Sequence, residues 1–179
     1  MNLPNKITLF RVCLIPIFLI LILVPQIQYG RMLAAAIFII AALTDLLDGY
    51  IARKNNLVTN FGKFMDPIAD KLLVSSALIC FVELGQLPAW IVIIIIAREF
   101  IISGFRLVAS DNGIVIAASW WAKIKTTVQM VMSVMLIINL DHPFINVLEQ
   151  IVIYLAVVLT VISLAEYLVK NRKVLNEKH

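Results

Sequence analysis

The chain has 179 residues, 62% of them hydrophobic, with a formal net charge of +4 and a mean hydropathy of +0.99. So apolar a composition excludes an ordinary soluble domain of this size. The positive charge is spread among apolar segments, which points to a membrane face meeting anionic lipid or phosphate and not to nucleic acid.

Six apolar segments are expected in chain order, at 7–27, 31–52, 65–84, 87–108, 121–140 and 146–169. Each is long enough to cross a hydrocarbon core of ~30 Å. Almost nothing is left over for a separate soluble domain. The expected fold class is therefore all-α: a polytopic membrane protein with a single domain over residues 1–179, built as a bundle of six transmembrane helices. The first segment follows "MNLPNK" and is not read as a cleavable signal, because "ILVPQIQYG" lacks the small-residue cleavage pattern. Cys13 and Cys80 each lie within an apolar segment and read as small core residues, not as a disulfide or metal pair. His142 and His179 have no metal-site spacing.

The cations set an expected orientation. Lys6, Arg11, Arg53, Lys54, Lys63, Lys71, Arg106, Lys123, Lys125, Lys170, Arg172, Lys173 and Lys178 fall on one side of the six spans, and Arg31 alone falls on the other. Positive charge marks the cytoplasmic side, so both termini are expected in the cytoplasm of a multi-pass protein of the cell's inner membrane.

Between the second and third segments runs "TDLLDGYIARKNNLVTNFGKFMDPIADK". Asp45 and Asp48 are three apart and are expected on one face at the end of a helix. Asp66 and Asp70, four apart, share a face at the start of the next. Four carboxylates brought together repel, and a helix C-terminus disfavours Asp45 and Asp48 further. A compensating cation is needed, and hard oxygen donors select Mg²⁺, Mn²⁺ or Ca²⁺ over zinc. Gly49 and Ala52 leave room beside the carboxylates, and Gly62 allows close backbone approach. Arg53 suits bidentate phosphate contact. Pro67 is expected in the first turn of the third span, where it is tolerated. Interfacial carboxylates paired with lysines are the milder account of any single aspartate. Facing pairs with glycines between them are harder to explain that way.

The spacing Asp45-x-x-Asp48-Gly49-x-x-Ala52-Arg53, eight residues, Gly62-x-x-x-Asp66-x-x-x-Asp70 resembles the signature of the CDP-alcohol phosphatidyltransferases at all eight positions. The resemblance implies a six-span helical bundle, a homodimer, with its site open to the cytoplasm. It implies that Asp45, Asp48, Asp66 and Asp70 bind divalent metal, Mg²⁺ or Mn²⁺ as two ions, and that Asp70 is the catalytic base. It places Gly49, Ala52, Arg53 and Gly62 around the CDP moiety of a CDP-diacylglycerol donor.

A second basic cluster bears on the acceptor alcohol. Arg98 and Arg106 are eight apart on one helix and are expected on nearly the same face, with Glu99 beside them. Arg98 lies inside the fourth span and needs an anionic partner there: Glu99, an aspartate or a bound phosphate. Lys123 and Lys125 open the fifth span about 200° apart on an ideal helix. Both are expected to be more exposed than Arg98. "NLPNKITLFR", "IIIIAREFIISGFR" and "KIKTTVQM" resemble the members of the family that use glycerol 3-phosphate. That likeness implies an acceptor-phosphate pocket of Arg98, Arg106, Lys123 and Lys125, with Asn5, Thr8 and Arg11 in the same region. Two other functions fit parts of the pattern: a sister enzyme with serine or inositol phosphate as acceptor, and a divalent-cation transporter using the four aspartates.

Overall fold

A computed structural model describes the backbone of residues 3–54, 60–111, 116 and 119–171, and the side chains of 7–44, 68–69, 71–109, 116 and 119–171. Six helices run in order: α1 (Leu3–Leu23), α2 (Gly30–Lys54), α3 (Asn60–Glu83), α4 (Ala89–Asp111), α5 (Trp120–Ile138) and α6 (Pro143–Lys170). No strand occurs among the described residues. Each expected apolar segment corresponds to one helix. Helix α1 stops at Leu23, short of the expected end at 27, because Pro25 biases the residue before it away from helical geometry.

Two compact units account for the packing: Met1–Leu87 with Val134–Asn139, and Pro88–Ser133 with Leu140–His179. In the first unit α1 packs on both α2 and α3. Its inner stripe is Thr8, Arg11, Ile15, Phe18 and Ile22, all buried, at the three- and four-residue steps of one helix face. Facing residues on α2 are small: Ala34, Ala35 and Ala41 are buried, with Phe38 between them. Small residues let membrane-type helices approach closely. The Phe18 and Phe38 rings meet at 6.1 Å between centroids. Gly30 opens α2 against the end of α1, where an added Cβ would lie 2.6 Å from the Leu21 carbonyl oxygen. Helix α3 ends in a left-handed glycine cap. Gly85 has φ +68°, the Gln86 N–H donates to Phe81 O at 2.8 Å and the Gly85 N–H to Val82 O at 3.0 Å, which is the Schellman arrangement. The Gln86 amide nitrogen then donates to Leu136 O and to Asn139 Oδ1, both at 2.8 Å, satisfying a carbonyl left open at the end of α5.

In the second unit α4 packs on α6. Ile153, Ala156, Leu159, Thr160, Ser163 and Tyr167 form the buried line of α6. Its start is fixed by His142, whose ring accepts from the Phe144 N–H at 3.3 Å, and by Pro143 in the first turn. Helix α5 starts where Ser119 caps it, its hydroxyl accepting from Ala122 N–H at 3.2 Å.

The distribution of polarity is inverted relative to a soluble protein. Arg11, Arg98, Lys125, Gln129, Ser133 and Thr160 are buried, while Phe10, Ile20, Ile93, Phe144, Val147 and Ile151 are exposed. Helices α5 and α6 are each long and apolar enough to cross a membrane, and shorter apolar stretches lie at Ile7–Leu23 and Gly30–Thr44. Outward apolar side chains need lipid to cover them, which associates the chain with a membrane.

Candidate functional site

The best-defined polar constellation is in the second unit and centres on Glu99. Arg98 is 5% exposed and Lys125 1%. Removing either charge from water is costly without a partner. Glu99 serves both. Its Oε1 accepts from Arg98 Nη1 at 3.1 Å and from Lys125 Nζ. Helix α6 contributes Ser163, whose hydroxyl accepts from Arg98 Nε at 3.2 Å and donates to Thr160 O at 3.0 Å. The guanidinium is thus held at Nε and Nη1, while its Nη2 is buried with no partner among the described residues. Two buried cations share one carboxylate, so the cluster stays positive and has a donor to spare. Its chemistry suits an oxyanion.

The other expected members of this pocket divide. Arg106 is exposed and stands beside the Tyr167 hydroxyl, in a contact that falls short of a well-formed hydrogen bond. Eight residues along an ideal helix leave it about 80° around from Arg98, so the expectation of nearly one face gives way to one buried and one surface cation. Lys125 corrects a second expectation, since it is buried and not exposed. The reason is register. Ser119 fixes the start of α5, which turns Lys125 inward to Glu99 and leaves Lys123 outward. Lys123 is exposed and lies over the Trp120 ring, 5.9 Å from its centroid, a cation–π contact.

Ser163 and Tyr167 were not foreseen from the sequence. Their signal was there, as hydroxyls at 160, 163 and 167 recur on one face of an otherwise apolar helix. Glu99 was foreseen as a possible partner of Arg98 but not as the shared anion of two cations.

In the first unit, Thr8 and Arg11 are each 1% exposed on the inner stripe of α1, and both interact with their surroundings. Asn5 lies on α1, with its side chain outside the described residues. So do the side chains of Asp45, Asp48, Gly49, Ala52, Arg53, Gly62, Asp66 and Asp70. The backbone assigns them nonetheless. Asp45, Asp48, Gly49, Ala52 and Arg53 are all within α2, and Gly62, Asp66 and Asp70 within α3. The steps 45-48-49-52 and 62-66-70 each follow one stripe of a helix. Two expectations change. Helix α2 continues to Lys54, so Asp45 and Asp48 stand before its last turn, beyond the reach of the dipole penalty. Helix α3 begins at Asn60, so Pro67 is in its interior and not its first turn; membrane helices tolerate such prolines where neighbours satisfy the freed carbonyl. Among the described residues no group of three or more His, Cys, Asp or Glu is gathered for a metal, and the four aspartates are not part of that set.

Over residues 1–162 the chain matches the family model for CDP-alcohol phosphatidyltransferase. The chain belongs to the CDP-alcohol phosphatidyltransferases. Within that family it is 49% identical over 183 residues to the CDP-diacylglycerol–glycerol-3-phosphate 3-phosphatidyltransferase of Bacillus subtilis, covering 95% of both chains. It is 42% identical over 172 residues to the Haemophilus influenzae protein of the same name, covering 93% of this chain and 91% of that one. A probable phosphatidylglycerophosphate synthase of Mycobacterium tuberculosis is 40% identical over 171 residues, with coverage of 94% and 81%. The eight-position signature on α2 and α3 and the Glu99 cluster both lie inside the family match.

Proposed function

We propose that the protein transfers the phosphatidyl group of CDP-diacylglycerol to glycerol 3-phosphate, giving phosphatidylglycerophosphate and CMP in phospholipid biosynthesis. The observation that carries this is the near full-length similarity to relatives named for that reaction, 49% identical over 95% of the chain in one case. The positive cluster around Glu99 supports an acceptor that bears a phosphate.

The chain is one domain over residues 1–179, with six membrane spans and both termini in the cytoplasm of the inner membrane. It works as a homodimer with its site on the cytoplasmic side. The acyl tails of the donor remain in the bilayer. Gly49, Ala52, Arg53 and Gly62 flank the CDP moiety, where the glycines leave space and Arg53 meets phosphate oxygens. Asp45, Asp48, Asp66 and Asp70 form an all-carboxylate donor set in helical register, which fits Mg²⁺ or Mn²⁺, as two ions. When bound, such ions supply charge neutralisation at the pyrophosphate and at the leaving CMP. Asp70 takes the proton from the acceptor's primary hydroxyl. The resulting alkoxide forms a bond to the phosphorus attached to diacylglycerol as the bond from that phosphorus to the CMP oxygen breaks. A carboxylate with an ordinary pKa near 3.9 is a weak base toward an alcohol, so positioning supplies much of the rate. Displacement is direct, because the signature contains no Ser, Cys or His nucleophile. Arg98, Arg106, Lys123 and Lys125 hold the acceptor phosphate, and Asn5, Thr8 and Arg11 border the same region.

The test is CMP release by purified protein given CDP-diacylglycerol, with glycerol 3-phosphate, serine, inositol phosphate or no acceptor. Release that requires divalent metal and glycerol 3-phosphate is expected. Equal release with serine would assign a different acceptor, and metal flux into sealed vesicles without CMP release would assign a transporter.

A further inference from the structure

Tyr167 is 4% exposed, yet its hydroxyl has no hydrogen-bond partner among the described residues. Buried tyrosine hydroxyls usually find one, because an unmet O–H in a low-dielectric setting is costly. Nothing about the ring is loose. It packs edge-on to Phe105 with centroids 5.6 Å apart and planes at 82°. The charges around the hydroxyl are those of Arg106, which stands beside it, and of Arg98. Guanidinium groups have donors and no acceptors, so neither can take the phenolic proton. They favour the oxygen's lone pairs and leave its O–H free to donate, with no acceptor for it among the described residues.

Arg98 tells the same story from the other side. Its Nε is held by Ser163, one helical turn before Tyr167 on the same buried line of α6. Its Nη2 is buried and unpartnered. An oxyanion is the ligand that answers a spare guanidinium donor and a spare phenolic donor together.

We infer that Tyr167 is a specificity-determining residue, whose hydroxyl donates to a phosphate oxygen of the acceptor beside Arg98. This rests on the acceptor-phosphate pocket proposed above. The match to the family model ends at residue 162, before Tyr167, whereas the similarity to the Bacillus subtilis relative, over 95% of the chain, takes Tyr167 in.

The test is Y167F, which keeps the ring against Phe105 and removes only the hydroxyl. Because that hydroxyl satisfies no partner among the described residues, Y167F is expected to melt at or above the parent temperature. Its KM for glycerol 3-phosphate should rise about tenfold, the scale of a lost hydrogen bond to a charged group. The inhibition constant of inorganic phosphate, competing with glycerol 3-phosphate, should rise in parallel, and the KM for CDP-diacylglycerol should stay within about twofold. A KM for glycerol 3-phosphate within about twofold of parent overturns the inference. So does a raised KM with an unchanged phosphate constant, and so does a lower melting temperature with an unchanged KM, which marks a structural hydroxyl. R98K, measured alongside, separates the two levels. If R98K moves neither the KM nor the phosphate constant, the pocket itself is wrong. If R98K moves both and Y167F neither, the pocket stands and the role of Tyr167 fails.

Discussion

Arg98 and Glu99 are adjacent in sequence and bonded in space, and Lys125 completes the group from another helix. Arg98→Ala is expected to raise the glycerol 3-phosphate concentration for half-maximal rate at least tenfold, or ~1.4 kcal/mol, just under the low end of what a hydrogen bond to a charged group contributes. Titrating each substrate separately checks this, and CDP-diacylglycerol affinity should move only a fewfold. Glu99→Gln should act first on stability. It leaves two buried cations without their anion, at a cost of about 3–5 kcal/mol. Thermal unfolding with and without glycerol 3-phosphate is the measurement, and the ligand should stabilise the variant more than the parent because it restores a negative charge. Asp70→Asn is expected to lower turnover at least ~100-fold, the usual scale for losing a general base, while CDP-lipid binding persists. Asp66→Ala should instead weaken donor binding and change the metal requirement. The helical spacing of the aspartates was legible in sequence, and α2 and α3 carry them in that register; their metal and base roles are the proposal these variants test. The inward turn of Lys125 was not, since it depends on where Ser119 starts α5, and a shift of one residue would rotate it by about 100°.

Among the elements, the α1–α2 hairpin has the tightest fit. Gly30 sits where a Cβ would come within 2.6 Å of a backbone oxygen, and a carbonyl on a neighbouring helix cannot swing aside as a side chain can. Gly30→Ala is expected to destabilise the protein by about 1–3 kcal/mol, in the range for overpacking, seen as a lower unfolding temperature with unchanged substrate KM values. That six helices exist was plain from the apolar segments. Their ends were less so. Helix α2 runs on through Arg53, and α3 starts ahead of Gly62, because the polar signature residues keep helical spacing where hydropathy alone reads a connection. The same effect moved Pro67 from an expected first turn into the interior of α3.

At the scale of the whole molecule, polarity is turned outside in. An exposed Ile93 or Val147 beside a buried Arg98 or Lys125 is stable only if lipid covers the one and protein the other. The six-span arrangement has a direct check. In a background with Cys13 and Cys80 replaced by serine, Asp141→Cys should label with a membrane-impermeant thiol reagent added outside intact cells. Lys170→Cys should label only after permeabilisation. Labelling of both from outside would remove the proposed orientation.

The adjacency of Arg98 and Glu99 also bears on how the chain is made. In the proposed six-span arrangement, synthesis delivers α4 to the bilayer before α5, and Arg98 has its counter-charge, Glu99, one residue away. On that proposal α4 can enter with the charge of Arg98 already cancelled by Glu99. Lys125 has no such companion within α5, and its anion waits on a helix made earlier. The order of genesis thus matches the order of need: the segment that is self-sufficient arrives first and becomes the docking partner for the one that is not.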